Sequence, residues 1–155
     1  MNNFKLIEKL YSEVIEGINP TWYLTDDSKW YDHIISLPSN LQITYLIVIL
    51  HNQVFNGGVH QYFVNGYGQF AKETIKALNT IGATKKSLLL EKALALVNAS
   101  NDPDELFRKL LKSKQIKSLF KTDELFKLLN KLDIDFYNIE DEEMEELLAN
   151  YLNIK

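Results

Sequence analysis

The sequence predicts an all-α fold, a single-domain bundle of about seven to nine helices running through residues 1–155. Apolar residues recur at three- and four-residue spacing over most of the chain, capping and stop residues punctuate those stretches, and no low-complexity linker or internal repeat divides them. At 155 residues, 46% hydrophobic and 25% charged, the chain has the length and composition to bury one sizeable core.

After an Asn2-Asn3 start, Phe4, Ile7, Leu10, Tyr11, Val14, Ile15 and Ile18 lie at helical spacing, and Gly17 and Pro20 supply the stop. A second helix is expected over Thr25 to Leu37, with Trp30, Ile34 and Leu37 on one side and Pro38 ending it. Ser39 with Gln42 reads as a capping box that opens a helix through Phe55, apolar nearly all round from Ile43 to Leu50 and therefore central. The same stretch is β-branched, so Asn56-Gly57-Gly58 followed by Val59 to Val64 has a hairpin as its alternative. Gln69 to Thr80 forms the next helix, with Gly82 as its left-handed C-cap. Thr84 is expected to cap a helix carrying Leu88, Leu89, Ala93, Leu94, Leu96 and Val97. Asp102-Pro103-Asp104-Glu105 starts another at Pro103, with the Asp102 carboxylate as cap. Thr122 with Asp123 and Glu124 opens one that buries Leu125, Phe126, Leu128, Leu129 and Leu132. Asn138 or Glu140 begins the last, with Met144, Leu147, Leu148, Tyr151 and Leu152 as its apolar stripe.

Composition removes several function classes. With no cysteine, disulfides, thiolate catalysis and cysteine-ligated metal sites are excluded. The amphipathic start, with Glu8, Lys9 and Glu13, is unlike the apolar core of a signal peptide, and the apolar run Tyr45 to Leu50 is far short of the roughly 20 residues a spanning helix needs. A cytoplasmic protein without membrane attachment is expected. His33, His51 and His60 lack the i, i+4 spacing of a helix-borne zinc site. Asp133-x-Asp135 begins like a calcium loop, but Met144 occupies the final glutamate position. There is no phosphate-binding glycine loop, dinucleotide fingerprint or nucleophile elbow. Trp22, Tyr23, Trp30 and Tyr31 could stack on a ligand, but read first as core. The expectation is a protein without cofactor or metal that is not an enzyme.

The run Gln53 to Asn65, containing Asn56, Gly57, Gly58, Gln61, Tyr62 and Phe63, is followed by Gly68 and by Ala77-Leu78 before Ile81-Gly82-Ala83. It resembles the signature of the bacterial DNA-mimic protein family. Leu132-Asp133, Phe136-Tyr137, Leu147-Leu148 and Tyr151 are similar to that family's closing segment, so the likeness is clearest over 40–155. The resemblance implies an all-helical fold with no cofactor and no catalytic residue. It also implies an activity, occupation of a DNA-binding protein's basic surface by carboxylates arranged like phosphates. Read from the residues alone, Asn56-Gly57-Gly58 is first a turn with Gln61, Tyr62, Phe63 and Asn65 packing around it. Its alternative is a polar groove lined by Gln53, Asn56, Gln61 and Asn65.

The formal net charge is only −4, but its distribution is uneven. From Arg108 to Lys131 stand eight basic residues, Arg108, Lys109, Lys112, Lys114, Lys117, Lys121, Lys127 and Lys131, against Asp123 and Glu124. From Leu132 to Ile154 stand eight acids, Asp133, Asp135, Glu140, Asp141, Glu142, Glu143, Glu145 and Glu146, and no base. Carboxylates on neighbouring helical turns, about 5–6 Å apart at Cβ, present a row of charge to a basic groove. These eight are the candidate partner-binding residues, the alternative being a merely solvated face. The expected partner is a basic bacterial protein such as a DNA-binding transcription regulator, with no direct nucleic-acid contact and with a homodimer left open. An immunity-type domain for a partner that does not bind nucleic acid, or an enzyme with an unrecognised site, are the alternatives.

Overall fold

The computed structural model describes residues 3–154; Met1 and Asn2, part of the expected helix start, and Lys155 lie outside the described residues. Among these residues there are nine α-helices and no strand, so the hairpin alternative is excluded. The helices are α1 (Asn3–Glu16), α2 (Lys29–Ile35), α3 (Ser39–Val64), α4 (Ala71–Ile81), α5 (Thr84–Val97), α6 (Asp104–Lys112), α7 (Ser118–Lys121), α8 (Asp123–Tyr137) and α9 (Met144–Ile154). Helix α3 is the central element. Tyr45, Leu46, Ile47, Leu50, Val54, Tyr62 and Phe63 on it are fully buried, and α1, α4, α8 and α9 pack around it. Each such side chain contributes on the order of 1.5–3 kcal/mol when removed from water. That is why the helix apolar on all sides lies in the middle.

The expected second helix is shorter than its periodicity suggests. Asn19 caps a 3₁₀ turn at Pro20–Tyr23 through Thr21 N–H, 3.0 Å, and Asp27 Oδ1 accepts Lys29 N–H, 3.1 Å, so that α2 starts only at Lys29. Trp30, buried on α2, donates its ring N–H to the Tyr45 hydroxyl, 3.0 Å, and meets Tyr67 and Phe70 edge-on. Trp30 and Tyr31 therefore belong to the core, while Trp22 is partly buried and Tyr23 is exposed.

Several expected caps are made by other groups. Gln42 does not reach back to Ser39. Its amide instead donates to the Ile34 and Ile35 carbonyls, 3.2 and 3.0 Å, which closes α2 against the start of α3. Thr122 Oγ1 donates to Ser118 O, 2.7 Å, rather than capping α8. Asp102 is positioned by Asn98, whose side chain exchanges bonds with its backbone N–H and C=O at 3.0 and 3.1 Å, and α6 starts at Asp104. Gly82 does end α4 at φ 93°, with Ala83 N–H returning to Leu78 O, 2.8 Å.

Two apolar faces also differ from expectation. Leu88 is 58% exposed while Leu90 is buried, and on α8 Phe126 and Leu128 face outward while Leu125, Leu129, Leu132 and Phe136 face the core. Apolar residues stand on more than one face of these helices, and packing against α3 and α4 selects among them.

Candidate functional site

Helix α3 is broken within the Asn56-Gly57-Gly58 run. Gly58 adopts φ 84°, ψ 179°, a region essentially reserved for glycine, and the Val59 N–H leaves the helical ladder as a result. That N–H donates to Asp133 Oδ1, 2.7 Å, from α8. One helical turn further along α8, Tyr137 donates its hydroxyl to Val54 O, 2.7 Å, in the turn before the break. Residues 133 and 137 thus brace the two sides of the kink. Burial raises the Asp133 pKa, opposed by the Val59 N–H and by His60.

The remaining motif residues surround this kink. Gln53 Oε1 accepts from Gln61, 3.1 Å, and from Asn65, 2.9 Å, bridging the two halves of α3. Tyr62 and Phe63 are buried, and the Tyr62 hydroxyl donates to Thr74 Oγ1, 3.3 Å. Asn56 and Gly57 are exposed, and Gly68 lies where a Cβ would stand 2.1 Å from Phe63 Cδ1. His60 Nε2 lies 2.7 Å from Leu119 O; a carbonyl only accepts, so this nitrogen carries the proton. Gln53, Gln61 and Asn65 are thus turned toward one another across the break, and Asn56 stands outside that set.

The eight acids do not form one row. Asp133 is 8% exposed and committed to Val59, and Glu142 is 5% exposed, with Oε2 and Oε1 accepting Lys85 and Lys86 N–H at 2.8 and 2.9 Å. Glu142 therefore supplies the cap of α5 that Thr84 was expected to make. These two leave the candidate binding set because both are buried and hold backbone N–H groups in the interior. Asp135 shares a recess with Lys92 and Lys131 on the α5 side. The other five, Glu140, Asp141, Glu143, Glu145 and Glu146, gather where α8 passes into α9.

That junction is not helical from Asn138 or Glu140 as expected; α9 begins at Met144. The Glu143 carboxylate accepts Glu145 and Glu146 N–H, 3.2 and 2.7 Å, and so sets the start. Asp141 pairs with Lys85, and each carries a shift from the other, Asp141 lowered and Lys85 raised. Glu145 Oε1 lies 3.5 Å from His51 Nε2. Glu140, Glu143 and Glu146 are exposed and have no basic partner among the described residues. Beside this acidic patch the exposed rings of Phe55 and Tyr137 lie 5.2 Å apart, and Ile134 and Phe126 continue an apolar stripe along α8. Sequence periodicity did not single out that stripe, since Phe126 counted as core.

No described group of three His, Asp or Glu residues is placed to hold a metal ion, and no described helix is long and apolar enough to cross a membrane.

A family model described as DMP19-like protein matches residues 35–155. The chain belongs to the DMP19-like family. This is a DNA-mimic family, so the resemblance read from the sequence holds at family level. The DMP19-like match starts at the last residue of α2 and takes in both the kinked α3 and the acidic α8–α9 junction. No curated protein and no solved structure matches the chain.

Proposed function

We propose that this protein is a non-catalytic, DNA-mimic-like binding protein whose acidic α8–α9 junction occupies the basic nucleic-acid-binding face of another bacterial protein, such as a transcription regulator. Membership of the DMP19-like family carries this reading, and the junction is the place in the chain that suits it. Affinity for DNA comes largely from neutralising its phosphates, one per roughly 1.7 Å of axis. A competitor therefore needs carboxylates that are solvated and outside lysine ion pairs, which describes Glu140, Glu143 and Glu146 better than the other acids of the tail. With a net charge of −4, the mimicry is local rather than a property of the whole surface.

The test is competition. A regulator captured by this protein at low salt should be displaced by short duplex DNA carrying its site. Capture that duplex DNA leaves untouched overturns the reading.

A second reading keeps the binding role and changes the partner, as in an immunity-type domain. The exposed stripe of Phe55, Phe126, Ile134 and Tyr137 favours it, because apolar surface of this kind gains more from another protein's apolar face than from a DNA-binding groove. Capture that resists both DNA and salt, and fails with Phe126→Ser, is its expected signature.

A further inference from the structure

Lys86 has no role in the partner-binding reading, and its surroundings are unusual for a lysine. The residue is 4% exposed, and its ammonium makes no hydrogen bond or ion pair among the described residues. It lies 4.8 Å from the centroid of the Phe136 ring. A lysine with so little exposed surface is ordinarily paired, and a ring face offsets only part of the cost of removing water from its ammonium. Burial lowers the Lys86 pKa, with Glu142 and Glu143 opposing the shift.

Lys86 borders a recess of about 260 Å³, whose other walls include His51, Phe55, Phe136, Tyr137 and Glu143. His51, on the same lining, has its Nδ1 buried without a hydrogen-bond partner. Phe55 and Tyr137 keep about half of their surface in solvent although they touch each other and Phe55 packs on His51, so apolar surface is left for a body entering the recess.

We propose that this recess binds a small monocarboxylate with an aromatic or branched apolar body, its carboxylate on Lys86 and its body against Phe55 and Tyr137. Lys86 is the one lysine on the lining, and Glu140 and Glu143 beside it already oppose an anion, so a single negative charge is the most the recess can hold. A dianion such as phosphate would meet Glu140 and Glu143 at the same recess with only that cation to hold it. The volume suits a molecule of about one ring, below the usual size of drug-like ligands. This site goes beyond the partner-binding reading and stands without it.

The test is an amide-resolved NMR titration of the full chain with 3-phenylpropionate, with 3-phenylpropanol and inorganic phosphate as comparison probes. The expected result is saturable shifts at Lys86, His51 and Tyr137 with the carboxylate alone. Lys86→Met should weaken the affinity at least tenfold, and Phe55→Ala, at an exposed position, should weaken it severalfold without relying on a change at the buried lysine. Equal binding of the alcohol, preference for phosphate, no saturable shift at these residues, or unchanged affinity in the variants would overturn the assignment.

Discussion

Asp133 and Val59, 74 positions apart, meet at 2.7 Å, carboxylate oxygen to backbone N–H, across the break in α3. A donor buried at a break costs about 1–3 kcal/mol when its acceptor is removed. Asp133→Ala should therefore lose that much in urea unfolding, while Asp133→Asn, which keeps an oxygen at the same place, should lose far less. The pH dependence has a definite sign. Burial holds the Asp133 pKa above its ordinary value, so the native state binds a proton more tightly than the unfolded chain, and stability falls as pH rises from near 3.8 through the raised native value. The amide introduced by Asp133→Asn would not titrate. The stability of that variant relative to wild type should thus rise across the acid window and level off above it.

Gly58 and Gly82 both have positive φ, and they should differ in what they tolerate. At Gly82 a Cβ would meet nothing within 4 Å, so Gly82→Ala should cost only the left-handed backbone term, roughly 1–2 kcal/mol. At Gly58 the backbone is glycine-only, and a Cβ would stand 2.3 Å from Asp133 Oδ2. Gly58→Ala should cost more than Gly82→Ala in the same denaturation series. Combined with Asp133→Ala it should cost less than the sum of the two single changes, because the second substitution removes the clash created by the first.

These two glycines also show what was legible in the sequence. Gly82 could be read because a helix end demanding positive φ is a local event, written in Ile81-Gly82-Ala83 itself. The Gly58 break looked like a turn or hairpin because its acceptor, Asp133, is supplied by α8 and stood among the acids counted as surface. Glu142 was misplaced for the same reason: α5 takes its cap from a residue 56 positions downstream of Lys86. Local caps such as Ser39 with Gln42 gave way because Gln42 had the terminal carbonyls of α2, Ile34 O and Ile35 O, within reach. Family likeness depends on a pattern spread along the chain, so it was readable where these individual partners were not.

Tyr137 braces the other side of the kink and also borders the recess beside Lys86. Tyr137→Phe keeps the ring and removes the bond to Val54 O. It should lower stability by about 0.5–1.5 kcal/mol in urea unfolding, the usual net value of such a bond. A larger loss would mean that the hydroxyl holds the α3 break in place beyond its own hydrogen bond.

Glu142 and Glu143 are adjacent in sequence and should separate completely in experiment. Glu142 is buried with both oxygens on the first turn of α5, so Glu142→Ala should cost about 0.5–2 kcal/mol as a lost cap while leaving the outer charge pattern unchanged. Glu140→Gln, Glu143→Gln and Glu146→Gln together remove three exposed charges and keep side-chain oxygens at the start of α9. That triple variant should remain folded by circular dichroism and lose partner capture. Glu142→Ala should retain capture at a temperature where it is still folded. Raising salt from 0.1 to 1 M, which shortens the screening length from about 10 Å to about 3 Å, should weaken wild-type capture and have little further effect on the triple variant. If Glu142→Ala abolishes capture while folded and the triple variant does not, the contact surface lies on the α5 side of the molecule and the exposed α8–α9 carboxylates are only a solvated face.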